Sequence, residues 1–219
     1  AVAKKLSTYR SISKWVDSAR PEGTHSEKTV RGWIDGELQN EIKSISEVIT
    51  GIEDKRSDAK ATEERISALG VFVDLGVDLD LFDGYRTATV FVGRIGDKGS
   101  GKDALQSAGV DGFTTSGGGL TLVVVANDDA TAVNNALESM RFSAVQPPIG
   151  TGSPKEAMSE ANSRLKELNS EIENLESSLD SWSSKHGEKL VCGLELLERD
   201  FIEATAPARV AVSQHAFMI

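Results

Sequence analysis

Residues Ser153–Phe201 read SPKEAMSEANSRLKELNSEIENLESSLDSWSSKHGEKLVCGLELLERDF. Apolar residues recur there at Met158, Ala161, Leu165, Leu168, Ile172, Leu175, Leu179 and Trp182, in steps that alternate between three and four. A stripe with that period drifts slowly around an α-helix, so it predicts a left-handed supercoil with a second helix. Most other positions carry Glu, Ser, Asn or Lys, as a solvated face requires. Ser153-Pro154-Lys155-Glu156 supplies a start signal, a reciprocal capping box with proline at the first helical position. After Trp182 the steps become four, through His186, Leu190 and Leu194, until Leu197 and Phe201 restore the alternation. Such a stutter unwinds a supercoil locally. Gly187 lies inside it, and Pro207 is expected to mark the helix end.

A partner helix is predicted upstream. Thr24 through Glu27 offers a second capping box, followed by Ile34, Leu38, Ile42, Ile45, Ile49 and Ile52 at the same spacing. The pattern weakens at Arg56, Ala59 and Glu63 and recovers at Ile66 and Leu69, with Gly51 as a soft spot. Both helices exceed 40 residues, or roughly 60 Å at about 1.5 Å per residue. Within one chain they pair most simply antiparallel. Ala1 to Ala19 also reads helical, through Val2, Leu6, Tyr9 and Val16, and stops at Pro21.

The block between the helices differs in character. Val71 to Tyr85 alternates apolar and acidic residues as a turn region. Ala88 to Ile95 is β-rich, and Asp103 to Ala108 reads as a short helix. Gly112–Ser116 and Leu120–Ala126 flank Gly117–Gly119 as a hairpin. Asp128 can cap a helix running to Met140, and Arg141–Gln146 is a last strand before Pro147-Pro148. The order β-α-β-β-α-β predicts a ferredoxin-like split arrangement. Val210–Val212 and Phe217–Ile219 read as strand pieces of a second lobe. The expected fold class is therefore α+β: a long antiparallel coiled-coil hairpin with a ferredoxin-like lobe at its distal tip and a partial proximal α/β lobe. The expected segments are 1–22, a helix near the proximal lobe; 23–69, the outgoing helix; 70–152, the distal lobe; 153–205, the returning helix; and 206–219, partial proximal strands. Both ends read as cut, so a piece of a longer protein is expected.

Composition narrows the function. The chain has 219 residues, 26% charged and 5% aromatic, with a net charge of −10. Few large core-filling side chains suit thin helices better than a large globule. The acid excess is local. The first 69 residues carry 12 acids and 12 bases, Asp74–Asp83 adds four acids, and residues 148–219 carry 12 acids against 7 bases. No segment forms the basic groove that nucleic acid needs. One cysteine, Cys192, excludes an internal disulfide, fits an intracellular origin and reads as a packed thiol among Leu190, Val191 and Leu194. No run of 18 apolar residues and no signal peptide are present.

Gly96-Asp97-Lys98-Gly99-Ser100-Gly101-Lys102-Asp103 matches a phosphate-binding loop through its lysine. Leu122–Asp128 resembles a magnesium-holding strand. However, Asp103 stands where a hydroxyl should meet magnesium, and the lobe is too small for a nucleotide domain. A Gly/Ser/Lys turn is expected instead. His25, His186 and His215 lack ligand-spaced partners; His186 holds a seam position and the others are expected to be exposed or structural. Asp74, Asp78, Asp80 and Asp83 lack the calcium-loop spacing and read as an amphipathic turn with capping aspartates. No nucleophile–base pair stands out. No catalytic, cofactor or metal residue is assigned.

Leu75-Gly76-Val77-Asp78-Leu79-Asp80-Leu81 through Gly84-Tyr85, running into Thr89-Val90-Phe91-Val92-Gly93, resembles the cytoplasmic domain of subunit I of archaeal-type ATP synthases. That subunit is similar to subunit a of vacuolar-type proton ATPases. Ala206-Pro207-Ala208-Arg209-Val210-Ala211 through His215-Ala216-Phe217-Met218-Ile219 resembles the strand before that family's membrane domain. The resemblance implies a non-catalytic stator arm with no cofactor, at the cytoplasmic face of the cell membrane. It implies peripheral-stalk subunits (E with G or H type) at the distal lobe, the central-axis cap subunit near the proximal lobe, and a membrane domain beyond Ile219. The family's opening strand–helix–strand would precede Ala1, and its proton-path arginine would lie beyond Ile219. Charge adds Arg86, Arg94, Lys98, Lys102 and Arg141 as candidate partner-binding residues. Two other readings remain open: an unrelated coiled-coil tether with a hinge or dimerisation lobe, and a small nucleotide-dependent enzyme.

Overall fold

The computed structural model describes residues 1–16, 21, 23–96, 99–209, 211–212 and 217–218, with side chains through residue 206. The chain divides into two units, Ala1–Ser57 with Asn169–Ile219, and Asp58–Leu168.

Among its described residues the first unit is helical apart from one short strand pair. It contains α1 (Val2–Ser13), α2 (Glu27–Asp35), most of α3 (Glu37–Val73) and most of α6 (Pro154–Arg209). β5 (Ala211–Val212) pairs antiparallel with β6 (Phe217–Met218). α2 starts at Ser26, whose hydroxyl accepts from the Thr29 amide at 3.2 Å. The cap expected at Thr24 thus falls two residues later, and Glu27 is spent on Arg31 and Arg199. The outgoing helix is also interrupted. Gly36 adopts φ −114°, ψ −113°, outside the helical region, and separates α2 from α3. The spacing of Ile34 and Leu38 carries across it and hides the break. Gly51, expected to be soft, sits inside unbroken α3. α6 runs two residues beyond Pro207.

α3 and α6 pair antiparallel within this unit. Glu37 meets Lys189 at 3.1 Å, and Lys55 meets Glu171. A Cβ on Gly51 would touch the Leu175 side chain at 3.6 Å. Residue numbers fall on one helix as they rise on the other. Ile42, Ile45, Ile49, Ile52, Leu179, Trp182, Leu190 and Leu197 are buried together with Leu6, Tyr9 and Ile12 of α1.

In the second unit β1 (Ala88–Arg94), α4 (Gly101–Ala108), β2 (Phe113–Gly117), β3 (Leu120–Ala126), α5 (Ala130–Ser139) and β4 (Ser143–Ala144) follow the expected β-α-β-β-α-β order. The strands lie in the order β2-β3-β1-β4, every neighbour antiparallel. Gly118 and Gly119, at φ 58° and 78°, provide the two positive φ values that a tight hairpin turn matching strand twist requires. Side chains alternate across the sheet. Leu120, Leu122 and Val92 pack on Leu69, Phe72, Leu75 and Phe82. Val123 and Val125 pack on Leu105, Val133 and Leu137 of α4 and α5.

Three local expectations are corrected here. α3 continues to Val73, taking the first residues assigned to a turn. Asp128 sits in a 3₁₀ turn, Asn127–Asp129, and α5 has no side-chain cap. The last strand is two residues rather than six, because Arg141 turns the chain with φ 56° and Pro147-Pro148 cannot continue a ladder.

Candidate functional site

The candidate basic residues separate into two places on the 58–168 unit. Arg94 ends β1, Lys102 is the second residue of α4 and Arg141 follows α5. The Gly96 amide donates to Met140 O at 3.1 Å, which holds the loop after β1 against the end of α5 and collects the three at one end of the sheet. All three are exposed, and among the described residues no carboxylate lies within ion-pair distance of them. Arg86 is exposed at the opposite end, its carbonyl accepting from Asn127 Nδ2 at 2.9 Å. That is roughly 25 Å along the strand at about 3.3 Å per residue. Lys98 lies outside the described residues.

The glycine-rich stretch resolves into helix-capping chemistry. The Ser100 hydroxyl accepts from the Asp103 amide at 3.2 Å, and Asp103 Oδ2 accepts from the Ser100 amide at 2.9 Å. The Ser100 hydroxyl also donates to Asp103 Oδ2 at 2.7 Å. The carboxylate that argued against magnesium therefore satisfies the helix start, where phosphate would otherwise bind. A Cβ on Gly101 would collide with Thr114 and Thr121, so this glycine serves packing of α4 on the sheet.

The acidic run is spread over loop contacts. Asp80 accepts from the Gly152 amide at 3.0 Å and Asp83 from the Gly84 amide at 2.7 Å. Among the described residues no group of His, Cys, Asp and Glu is arranged to hold a metal ion. Among the described residues no helix is long and apolar enough to cross a membrane.

His186 is 2% exposed and stacks on Trp182 with ring centroids 5.4 Å apart. Its Nε2 lies 3.7 Å from Glu41, beyond hydrogen-bond reach. Its Nδ1, Trp182 Nε1 and the Tyr9 hydroxyl are buried with no hydrogen-bond partner among the described residues. Burial, and then the Asp35 charge, pushes the Tyr9 hydroxyl up to about 12. His25 pairs with Glu188 at 2.9 Å and meets the Trp33 ring edge-on; His215 lies outside the described residues. Cys192 is half-buried. Its thiol is pushed up, first by burial and then by Glu188 and Glu195, which leaves little thiolate.

Of the seam residues, Leu168, Ile172, Leu179 and Trp182 are buried, and Met158, Leu165 and Leu175 are half-buried. Periodicity did not point to the ion pairs that join the helices beyond them. Arg31 donates to both oxygens of Asp200 at 2.9 and 3.0 Å. Arg31 and then Arg199 hold the Glu27 carboxyl below the usual carboxylate range. Lys5 does the same for Asp35, and Lys189 for Glu37. Glu27 and Arg31 stand four residues apart on α2, but the pairs of Arg31 with Asp200, Glu27 with Arg199, Lys5 with Asp35 and Lys189 with Glu37 depend on how the helices meet, which a linear pattern lacks.

The chain is 33% identical over 224 residues to A-type ATP synthase subunit I of Halobacterium salinarum (strain ATCC 700922 / JCM 11081 / NRC-1), a match spanning 99% of the chain and 30% of that protein. It is thus related in sequence to subunit I of A-type ATP synthases along almost all of its length, while spanning about a third of that relative. The crystal structure of the cytoplasmic N-terminal domain of subunit I, homolog of subunit a, of V-ATPase shares the fold with TM-score 0.50 at 16% identity. That likeness covers 91% of this chain and 67% of the other. No family model matches.

Proposed function

We propose that this chain is a non-catalytic stator arm of a rotary proton-translocating ATPase or ATP synthase, at the cytoplasmic face of the membrane. It joins the peripheral stalk to a membrane domain of the same polypeptide and resists torque. The observation that carries this reading is the 33% identity along 99% of the chain to a rotary ATP synthase subunit. The α3/α6 pairing adds a physical reason. Two helices bonded side by side resist bending better than one, and the seam from Met158 to Trp182 has the period of a coiled coil.

In this reading residues 70–152, within the 58–168 unit, are the ferredoxin-like distal lobe. It receives E with G or H type stalk subunits through Arg94, Lys102 and Arg141. The remaining unit approaches the central-axis cap subunit. Purified stalk heterodimer passed over the immobilised chain should be retained, and reversing Arg94 and Arg141 together should weaken retention. Failure of capture, together with a stable dimer in sedimentation, would sink the stator reading in favour of an unrelated tether. Nucleotide binding lost in Lys102→Ala would replace both with an enzyme.

A further inference from the structure

We propose that the uncovered edge of β1 takes an extended segment of a partner polypeptide as an added strand, with a carboxylate of that segment meeting Arg86. This stands apart from the stator reading and does not depend on it.

β4 pairs with β1 only at Gly93↔Ala144 and Arg94↔Ser143, and one more bond, Val145 N–H to Val92 O at 2.9 Å, ends the ladder. Pro147 and Pro148 then bar further pairing. On its other side β1 is paired with β3 from Ala88 to Gly93. Along a strand, successive residues direct their N–H and C=O groups to opposite neighbours. Val92 and Arg94 face β4, so Ala88 and Val90 face the same side, where β4 has already ended. Among the described residues no hydrogen bond reaches the groups of Ala88 or Val90 on that side.

Beside this gap lies a cavity of about 190 Å³ lined by Phe82, Val90, Phe91, Phe142, Val145 and Pro147. Val90 and Phe82 belong to the core on one face of the sheet, and Phe91 and Phe142 to the core on the other. The cavity therefore opens along the rim of the sheet rather than on a face. Ala88–Phe91 are half-buried.

These features select the occupant. Unpaired alternate backbone groups on a sheet edge are satisfied by another extended backbone, and a helix has no such groups to offer. The apolar walls suit alternating apolar side chains. Arg86 is exposed at the open end, without an ion-pair partner among the described residues. It calls for an acidic group there, whereas Arg94 lies where β4 already covers the edge.

The test uses the 219-residue chain and a fluorescein-labelled synthetic peptide, acetyl-Thr-Val-Thr-Val-Thr-Glu. Anisotropy should show saturable binding, and hydrogen exchange at Ala88 and Val90 should slow at least about tenfold at saturation. Arg86→Glu, a surface change that keeps the circular dichroism of the parent, should weaken binding by about tenfold. Of two peptides N-methylated at the two alternate sets of residues, the one whose methyl groups face β1 should not bind and the other should. Absence of binding to the parent chain overturns the proposal. So does binding that leaves both amides unprotected. Peptide-free dimerisation that protects them would assign the edge to a second copy of the chain and overturn it equally.

Discussion

In the unit of Ala1–Ser57 and Asn169–Ile219, order comes from repetition. Buried side chains return every three or four residues, ion pairs cross between helices, and Tyr9, Trp182 and His186 each bury a polar atom with no hydrogen-bond partner among the described residues. In the 58–168 unit, order comes from close approach. Both faces of a four-stranded sheet are covered, and several glycines sit where a single extra carbon would strike backbone. The contrast teaches that a repetitive seam absorbs local imperfection, because each contact is one of many alike. A small sheet lobe cannot, because each close approach is made once.

The sharpest break should come from core truncation in the helical unit. Leu190 is fully buried, and Leu190→Ala should cost about 3–4 kcal/mol in urea unfolding. A loss under about 1 kcal/mol would mean the seam collapses around the hole. In the sheet lobe, a Cβ on Gly117 would press into the Asp74 carbonyl, with Leu75 Cα also close. Gly117→Ala should cost about 2–3 kcal/mol by the same measurement. A neutral result would show that the lobe yields as the seam does.

His186→Leu reverses the sign. It removes a buried nitrogen that has no hydrogen-bond partner among the described residues and should be neutral or stabilise by about 1 kcal/mol. A large loss would show that His186 holds the seam through a contact with Glu41.

The smallest effect concerns acid. Glu27, Asp35 and Glu37 lie below the usual carboxylate range, held chiefly by Arg31, Lys5 and Lys189. Their contribution is fully present above the ordinary carboxylate pKa, about 4, and is lost as pH falls through the depressed folded values. Thermal melts should therefore weaken below about pH 4, and Lys189→Met should flatten that dependence slightly while leaving the neutral-pH melt almost unchanged. These groups are exposed, so a steep effect at neutral pH would contradict the solvent screening expected of them.

Much of this architecture was legible because long helices repeat themselves. Leu165, Leu168, Ile172 and Leu175 declare a helix without any knowledge of what lies opposite. The order of the sheet lobe was also legible, since Gly117–Gly119 punctuates two β-branched runs. Gly36 escaped, because Ile34 and Leu38 keep helical spacing across a backbone break. The shift of the cap from Thr24 to Ser26 escaped for a similar reason, as three residues near it can all cap and only packing chooses. Among the candidate site residues, charge alone grouped Arg86 with Arg94; the strand between them puts them at opposite ends. The pairing of Arg31 with Asp200 needed the cross-helix register, which no local pattern contains.

The division of the chain also has a kinetic consequence. The sheet lobe is one unbroken segment, whereas the helical unit is assembled from two pieces that flank it. Glu37 must therefore find Lys189 across the whole intervening sequence. Bringing distant segments together costs entropy that grows with the flexible length between them. A lobe that folds first on its own nearby contacts removes most of that slack before the outer helices search for each other. Refolding should thus proceed from the inside outward, and a lobe slow to close would delay a seam whose own residues are intact.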